Sequence, residues 1–259
     1  MSKRVRLLLG RLRRLRLAVL LCCILACQSL FQPLHAAPPQ ALRLQQVHSF
    51  LGRCQLTVAE NGVRIENTDQ SKFVLVAKAP DWRVTVYRTD DKVCFSQSLK
   101  DFQATGMISG FVLPVTDRIL DPKALSKTKT KLFGYDVTSL LTKKASLKYL
   151  ERGKIAPQVD EIVFCAYKTP TNGGIPVYYR KISRERDYYT DSKQEVHQDT
   201  LIATSKIEAV PYNTSLFTAP VGFKSAKSIQ EIVAGSGAKA KTADFQELFE
   251  MKSVGSKRR

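Results

Sequence analysis

No Asp or Glu occurs before Glu60, and the whole chain of 259 residues holds only three His, three Met and one Trp. Thirteen Gly and eleven Pro are too few for a collagen-like or linker-dominated chain, and 44% hydrophobic residues are too many for a disordered one. Chemistry-bearing motifs are absent as well. There is no Cys-x-x-Cys pair, no Gly-rich phosphate loop after a strand and no Gly-x-Ser-x-Gly elbow. Beyond the first 36 residues only His48 and His197 remain, and neither has a metal ligand at helical spacing. The paired acids Asp90/Asp91 and Glu185/Asp187 suit turns better than paired catalytic carboxylates. The expectation is a non-enzymatic protein without metal or cofactor. A hydrolase whose catalytic groups come from distant segments is the alternative that motif reading leaves open.

Positive charge is what the chain has in excess, with 41 Lys+Arg against 23 Asp+Glu for a net +18. Seven of these basic residues lie among the first sixteen (Lys3, Arg4, Arg6, Arg11, Arg13, Arg14, Arg16), followed by an apolar run over 17–31. Fifteen residues make a helix too short for a ~30 Å hydrocarbon core. Leu34-His35-Ala36-Ala37-Pro38 then offers small residues to a signal peptidase, so residues 1–36 read as a cleaved export signal. The competing readings are an uncleaved anchor, a lipobox-like Ile24-Leu25-Ala26-Cys27 that would place a lipid on Cys27, and a twin-arginine signal around Arg13-Arg14. Three cysteines lie beyond that segment, Cys54, Cys94 and Cys165. They allow one disulfide and a free thiol, or three buried thiols.

From residue 52 onward the pattern is strand-like. Residues 52–58 alternate, Asn61-Gly62 signals a primed hairpin turn, and strands follow over 63–65, 73–77, 82–88 and 92–98, the last two joined at Asp90-Asp91. The middle reads as a short helix over 99–104, a mixed stretch over 111–120, a solvated basic loop over 123–131, a strand within 131–141 and a short helix over 145–152. Strands return over 162–167 and 175–182, taken as a second hairpin across Thr169 to Gly174, and over 188–190 and 200–210. Nine to ten strands with few helices make one domain, ending at 223. Residues 224–259 read as a basic, partly flexible tail with one amphipathic helix over 242–251.

The distribution of charge decides what the excess means. Of the +18, +7 belongs to 1–36, +4 to 224–259, and +7 to the 187 residues between, which hold 26 basic and 19 acidic side chains. Basic clusters within that body, over 123–131, 143–154 and 180–186, the last beside Tyr178, Tyr179, Tyr188 and Tyr189, suggest single-strand stacking only if nucleic acid is available. Export removes that partner. What remains is attraction to an anionic membrane surface or envelope polymer, against ordinary solvated strand faces.

Three segments resemble a known family. Leu44-Gln45-Gln46-Val47-His48-Ser49-Phe50, the strand Phe73 to Ala77 running into Lys78-Ala79-Pro80-Asp81-Trp82, and Leu216-Phe217-Thr218-Ala219-Pro220-Val221-Gly222-Phe223 are similar to elements of the LolA/LolB-type lipoprotein carriers and their wider superfamily. The resemblance implies an α+β, mainly antiparallel fold: an open, strongly curved sheet, or unclosed half-barrel, under a few short helices. It also implies an apolar cavity for the acyl chains of a lipid or lipoprotein, in a protein taken to be a monomer of the periplasm or envelope. Lining candidates are Phe73, Leu75, Trp82, Val84, Val86, Phe164 and Tyr167, each also a natural core residue; the motif positions are Lys78, Pro80, Phe217, Pro220 and Gly222. Where the carriers have Arg before Pro this chain has Ala79, with Lys78 one place earlier. The expectation is a divergent relative that holds an apolar ligand without being the housekeeping carrier.

Overall fold

A computed structural model describes residues 40–69, 71–107, 117–120, 125–185 and 195–234. The segment read as an export signal, Cys27, the stretch 188–190 and the helix expected over 242–251 lie outside the described residues, as do most of 111–120 and part of the cluster over 180–186. Twelve strands among those residues form one sheet. In chain order they are β1 (Gln40–His48), β2 (Gly52–Ala59), β3 (Gly62–Asn67), β4 (Phe73–Lys78), β5 (Val84–Arg88), β6 (Val93–Gln97), β7 (Ser126–Leu132), β8 (Tyr135–Leu141), β9 (Ala145–Glu151), β10 (Gly174–Glu185), β11 (Glu195–Pro211) and β12 (Lys224–Ser225). The spatial order is β12-β6-β5-β4-β3-β2-β1-β11-β10-β9-β8-β7, antiparallel throughout except for the parallel β12–β6 pair. The sheet is open and curved, as the family resemblance implies. Register shifts at Gln45/Gln46, Pro176/Tyr178 and Tyr179/Arg180 supply bends of the kind that curve a sheet.

Two meanders build this sheet, β1 to β6 and β7 to β11, and they join where β1 pairs with β11. The pleat and register of β2 to β5 place Cys54, Leu56 and Val58, then Val63 and Ile65, then Phe73, Leu75 and Ala77, then Val84 and Val86 on one inner face. Three short helices cover that face: α1 (Leu99–Thr105), α2 (Pro157–Tyr167) and α3 (Ile229–Ala234). The outer face is covered in part by the chain after β11. A 3-10 turn over Thr214–Phe217 buries Phe217 with Ala41 and Ala59, and Ala219 and Phe223 pack on Val74, Val76 and Tyr87.

Several local expectations are corrected. Residues 162–167 belong to helix α2 rather than to a strand, and 145–151 form strand β9 rather than a helix. A run of Ile, Val, Phe, Cys and Tyr has strand composition, yet Pro157 at the first helical position and Asp160 in the first turn start a helix there. Its apolar residues at 159, 162, 163, 166 and 167 then share one buried stripe. In β9 the period is two, with Ala145, Leu147 and Tyr149 facing inward. The supposed hairpin across Thr169 to Gly174 is therefore a helix-to-strand connection. The basic loop over 123–131 is largely the exposed edge strand β7, and the single strand expected within 131–141 turns at Phe133-Gly134, both at positive φ, to separate β7 from β8. At the first hairpin Ala59 pairs with Gly62, so the turn residues are Glu60 and Asn61 and neither has positive φ. Gly62 is required for another reason: a Cβ there would lie 2.7 Å from the Phe217 ring. The folded body also runs past 223, because Ala226, Ile229 and Ile232 are buried in the main core.

Candidate functional site

The inner face is apolar over most of its breadth and carries one polar seam. Gln46 and His48 follow Leu44 at spacing two on β1, so both project from the inner face towards the end of α2. The Tyr167 hydroxyl donates to Gln46 Oε1 at 3.0 Å, and Gln46 Nε2 donates to the Pro176 carbonyl at 2.9 Å and to Thr204 Oγ1 at 3.0 Å. His48 Nδ1 accepts from the backbone N–H groups of Phe50 (3.2 Å) and Leu51 (3.1 Å). That leaves the ring proton on Nε2, which donates to the Tyr167 carbonyl at 3.0 Å. His48 and Tyr167 thus fasten the C-terminal end of α2 to the sheet.

Burial keeps the seam neutral. Desolvation pulls the His48 pKa down to about 4 against the carbonyl bond that raises it, and burial pushes Tyr167 well above its ordinary value. Cys54 is pushed up to about 12 and Cys165 to about 11, again chiefly by burial. All three described cysteines are free thiols; Cys54 and Cys165 are buried and protonated at neutral pH, so neither is an activated nucleophile. Cys165 sits on α2 and not in a strand. Among the described residues no three His, Cys, Asp or Glu side chains are placed to hold a metal ion. Ionised groups sit at the margins: Arg88 pairs with Asp90 and Asp91 beside the β5–β6 turn, and Arg118 pairs with the buried Asp160 in the first turn of α2. Among the described residues, Asp160 Oδ1 and the hydroxyls of Thr169 and Thr171 have no hydrogen-bond partner.

The sequence-derived lining set falls together. Phe73, Leu75, Val84 and Val86 contribute from adjacent strands, Trp82 precedes β5 at positive φ, and Tyr167 comes from α2, all buried in one core; Phe164 is half-buried against it. Two of the motif residues, Lys78 and Phe217, meet on the other side of the sheet. Lys78 Nζ donates to Thr218 Oγ1 at 3.0 Å, tying the end of β4 to the Phe217 segment, and Pro80 follows a cis peptide bond. Pro220 is half-buried and Gly222 is exposed at φ +83°. Gln46, His48 and the Arg118–Asp160 pair were not singled out as site residues. For Gln46 and His48 a signal existed: two polar side chains continue the inward alternation begun at Leu44.

The fold and site define a class: a half-barrel whose inner surface is apolar, neutral and closed by short helices. Among solved structures the chain is similar to a LolA superfamily protein from Nitrosomonas europaea, at 8% identity over 70% of this chain and 90% of that one, with a TM-score of 0.24. No protein-family model matches the chain, and no curated protein matches it.

Proposed function

We propose that this is an exported, non-enzymatic binding protein of the cell envelope that holds an apolar ligand, an acyl chain of a lipid or lipoprotein, between the inner face of its sheet and the helices over it. The observation that carries the reading is the inner face itself. It carries Leu44, Leu56, Ile65, Leu75 and Val86 on five adjacent strands, each wholly buried under helices of only seven, eleven and six residues, which an acyl chain would part to enter. An acyl chain gains ~0.8 kcal/mol for each CH2 removed from water, so such a site needs apolar area and few directed groups. Export rests on the basic and apolar N-terminal segment; no helix among the described residues is long and apolar enough to cross a membrane.

Trp82, the single tryptophan, makes the test direct, because it borders this core. Titration of the protein with cis-parinaric acid is expected to give saturable energy transfer from Trp82, and mass spectrometry of an organic extract is expected to show co-purified lipid. A lipid-free extract together with linear, unsaturable transfer would reject the proposal.

A further inference from the structure

Charge on the folded body is concentrated at one place. Of the net +7 carried by residues 37–223, +6 falls in residues 125–154, which hold eight Lys or Arg (Lys127, Lys129, Lys131, Lys143, Lys144, Lys148, Arg152, Lys154) and two acids (Asp136, Glu151). Those residues are strands β7, β8 and β9 with their turns, and β7 is the outermost strand of the described sheet. Along β7, Lys127, Lys129 and Lys131 alternate with Thr128 and Thr130, so the three ammonium groups project from one face about 7 Å apart. All three are exposed. Lys129 meets Glu151 at 3.1 Å and Lys131 meets Asp136 at 3.2 Å, but exposed pairs of this kind contribute little and exchange readily for other anions.

Apolar side chains frame this row at both ends. Phe133, 46% exposed, stands at the β7–β8 turn next to Lys131. Leu125 and Leu141, 60% and 39% exposed, lie at the far end, where the Leu125 N–H donates to the Leu141 carbonyl, beside Lys127 and near Lys143 and Lys144 in the β8–β9 turn. Lysines on an edge strand also discourage edge-to-edge pairing. That role accounts for β7 and leaves unexplained both the basic turns and the exposed aromatic at the tip.

We infer that the β7–β9 edge docks this protein on an anionic lipid bilayer, with the lysine row against the headgroups and Phe133 and Leu125, at the two ends of that row, at the level of the interface. Polycations held near such a surface gain from its negative potential, and aromatic and aliphatic tips add apolar contact. The register places the lysine row on the side of the sheet that Leu140, Leu147 and Tyr149 share, but on the outermost strand, at the far end of the sheet order from β1 to β5, so the docking surface stands whether or not the inner face of those strands binds an acyl chain.

The test is co-sedimentation of the full chain with vesicles of phosphatidylcholine alone or with 30% phosphatidylglycerol, all variants carrying the same N-terminal segment. Each lysine contributes a factor of about five, so Lys127→Gln/Lys129→Gln/Lys131→Gln is expected to weaken partition onto the anionic vesicles about 100-fold, and more at low salt than at high. A charge-matched control, Lys72→Gln/Lys92→Gln/Lys100→Gln, is expected to lose less than threefold. Independently, Phe133→Trp is expected to give emission quenched by brominated lipid only in the anionic vesicles. The inference is overturned if the triple variant binds as the unsubstituted chain does, if the control loses as much, or if Trp at 133 is not quenched. Self-association of the triple variant with unchanged vesicle binding would also overturn it, and would assign the lysines to guarding the edge.

Discussion

At the level of the single residue, His48 shows how a polar side chain can be both buried and necessary. Its ring is 2% exposed, its Nδ1 holds the two N–H groups that open the β1–β2 turn, and its Nε2 holds the last carbonyl of α2. A proton on Nδ1 would break both backbone bonds and place a charge in the core. The unfolded ring takes up that proton below about pH 6.5 and the folded ring only below about 4, so between these values unfolding binds a proton. Stability is therefore full above pH 6.5 and declines as the pH falls towards 4, by about 3 kcal/mol in all from this group. Urea unfolding midpoints of the natural chain and of His48→Gln, measured from pH 7 to pH 4, are expected to converge as the pH falls. Parallel curves would show that His48 does not carry the dependence.

Elements reveal why part of this fold is legible in the sequence and part is not. Strands β2, β3 and β5 announce themselves by an inward face of period two, and β4, buried on both faces, by a continuous apolar run. Helix α1 is written by Ser98, whose Oγ accepts from Asp101 N at 3.1 Å, and by Gly106, at φ +62°, just after its end. Helix α2 hides because Ile, Val, Phe and Tyr compose it, and only the Pro157 start and the 3.6-residue spacing reveal it. Gly62 shows a subtler failure: Asn61-Gly62 correctly locates a hairpin, yet the glycine is there for Phe217 and not for a positive φ. That reading has a consequence at the level of the element. Gly62→Val drives its side chain into the Phe217 ring and is expected to cost about 2 kcal/mol by overpacking, with the Thr214–Phe217 turn lifted from β3. Phe217→Ala in the same chain is expected to recover part of the loss, because the ring is the obstacle. Equal loss in single and double variants, measured as urea midpoints, would place the strain in the backbone of the β2–β3 turn.

Across the whole molecule, the order of strands is the property that no local pattern could disclose. β1 lies near the middle of the sheet, between β2 and β11, and residues as far apart as Gln40 and Pro211 pair across the joint between the two meanders. The candidate site inherits this non-locality, since Gln46 from β1, Tyr167 from α2, and Pro176 and Thr204 from β10 and β11 meet only once that joint has formed. Motifs near 44–50, 73–82 and 216–223 resemble those of a half-barrel family, while the seam that fastens its cover depends on contacts 119 to 158 residues apart. Neither meander buries its inner face without the other: Ile202 of β11 and Leu44 of β1 are wholly buried in one core with Leu75 and Leu147. The molecule is therefore expected to unfold as one cooperative unit, with Trp82 fluorescence reporting the β1–β6 half and amide exchange of β8 and β9 reporting the other at a single urea midpoint. Leu44→Ala, at the joint, is expected to lower that shared midpoint by the equivalent of 2–5 kcal/mol while keeping both probes coincident. Two separated transitions, with only the Trp82 signal shifted, would show instead that the meanders are independent and that the cover over the inner face is held by one of them alone.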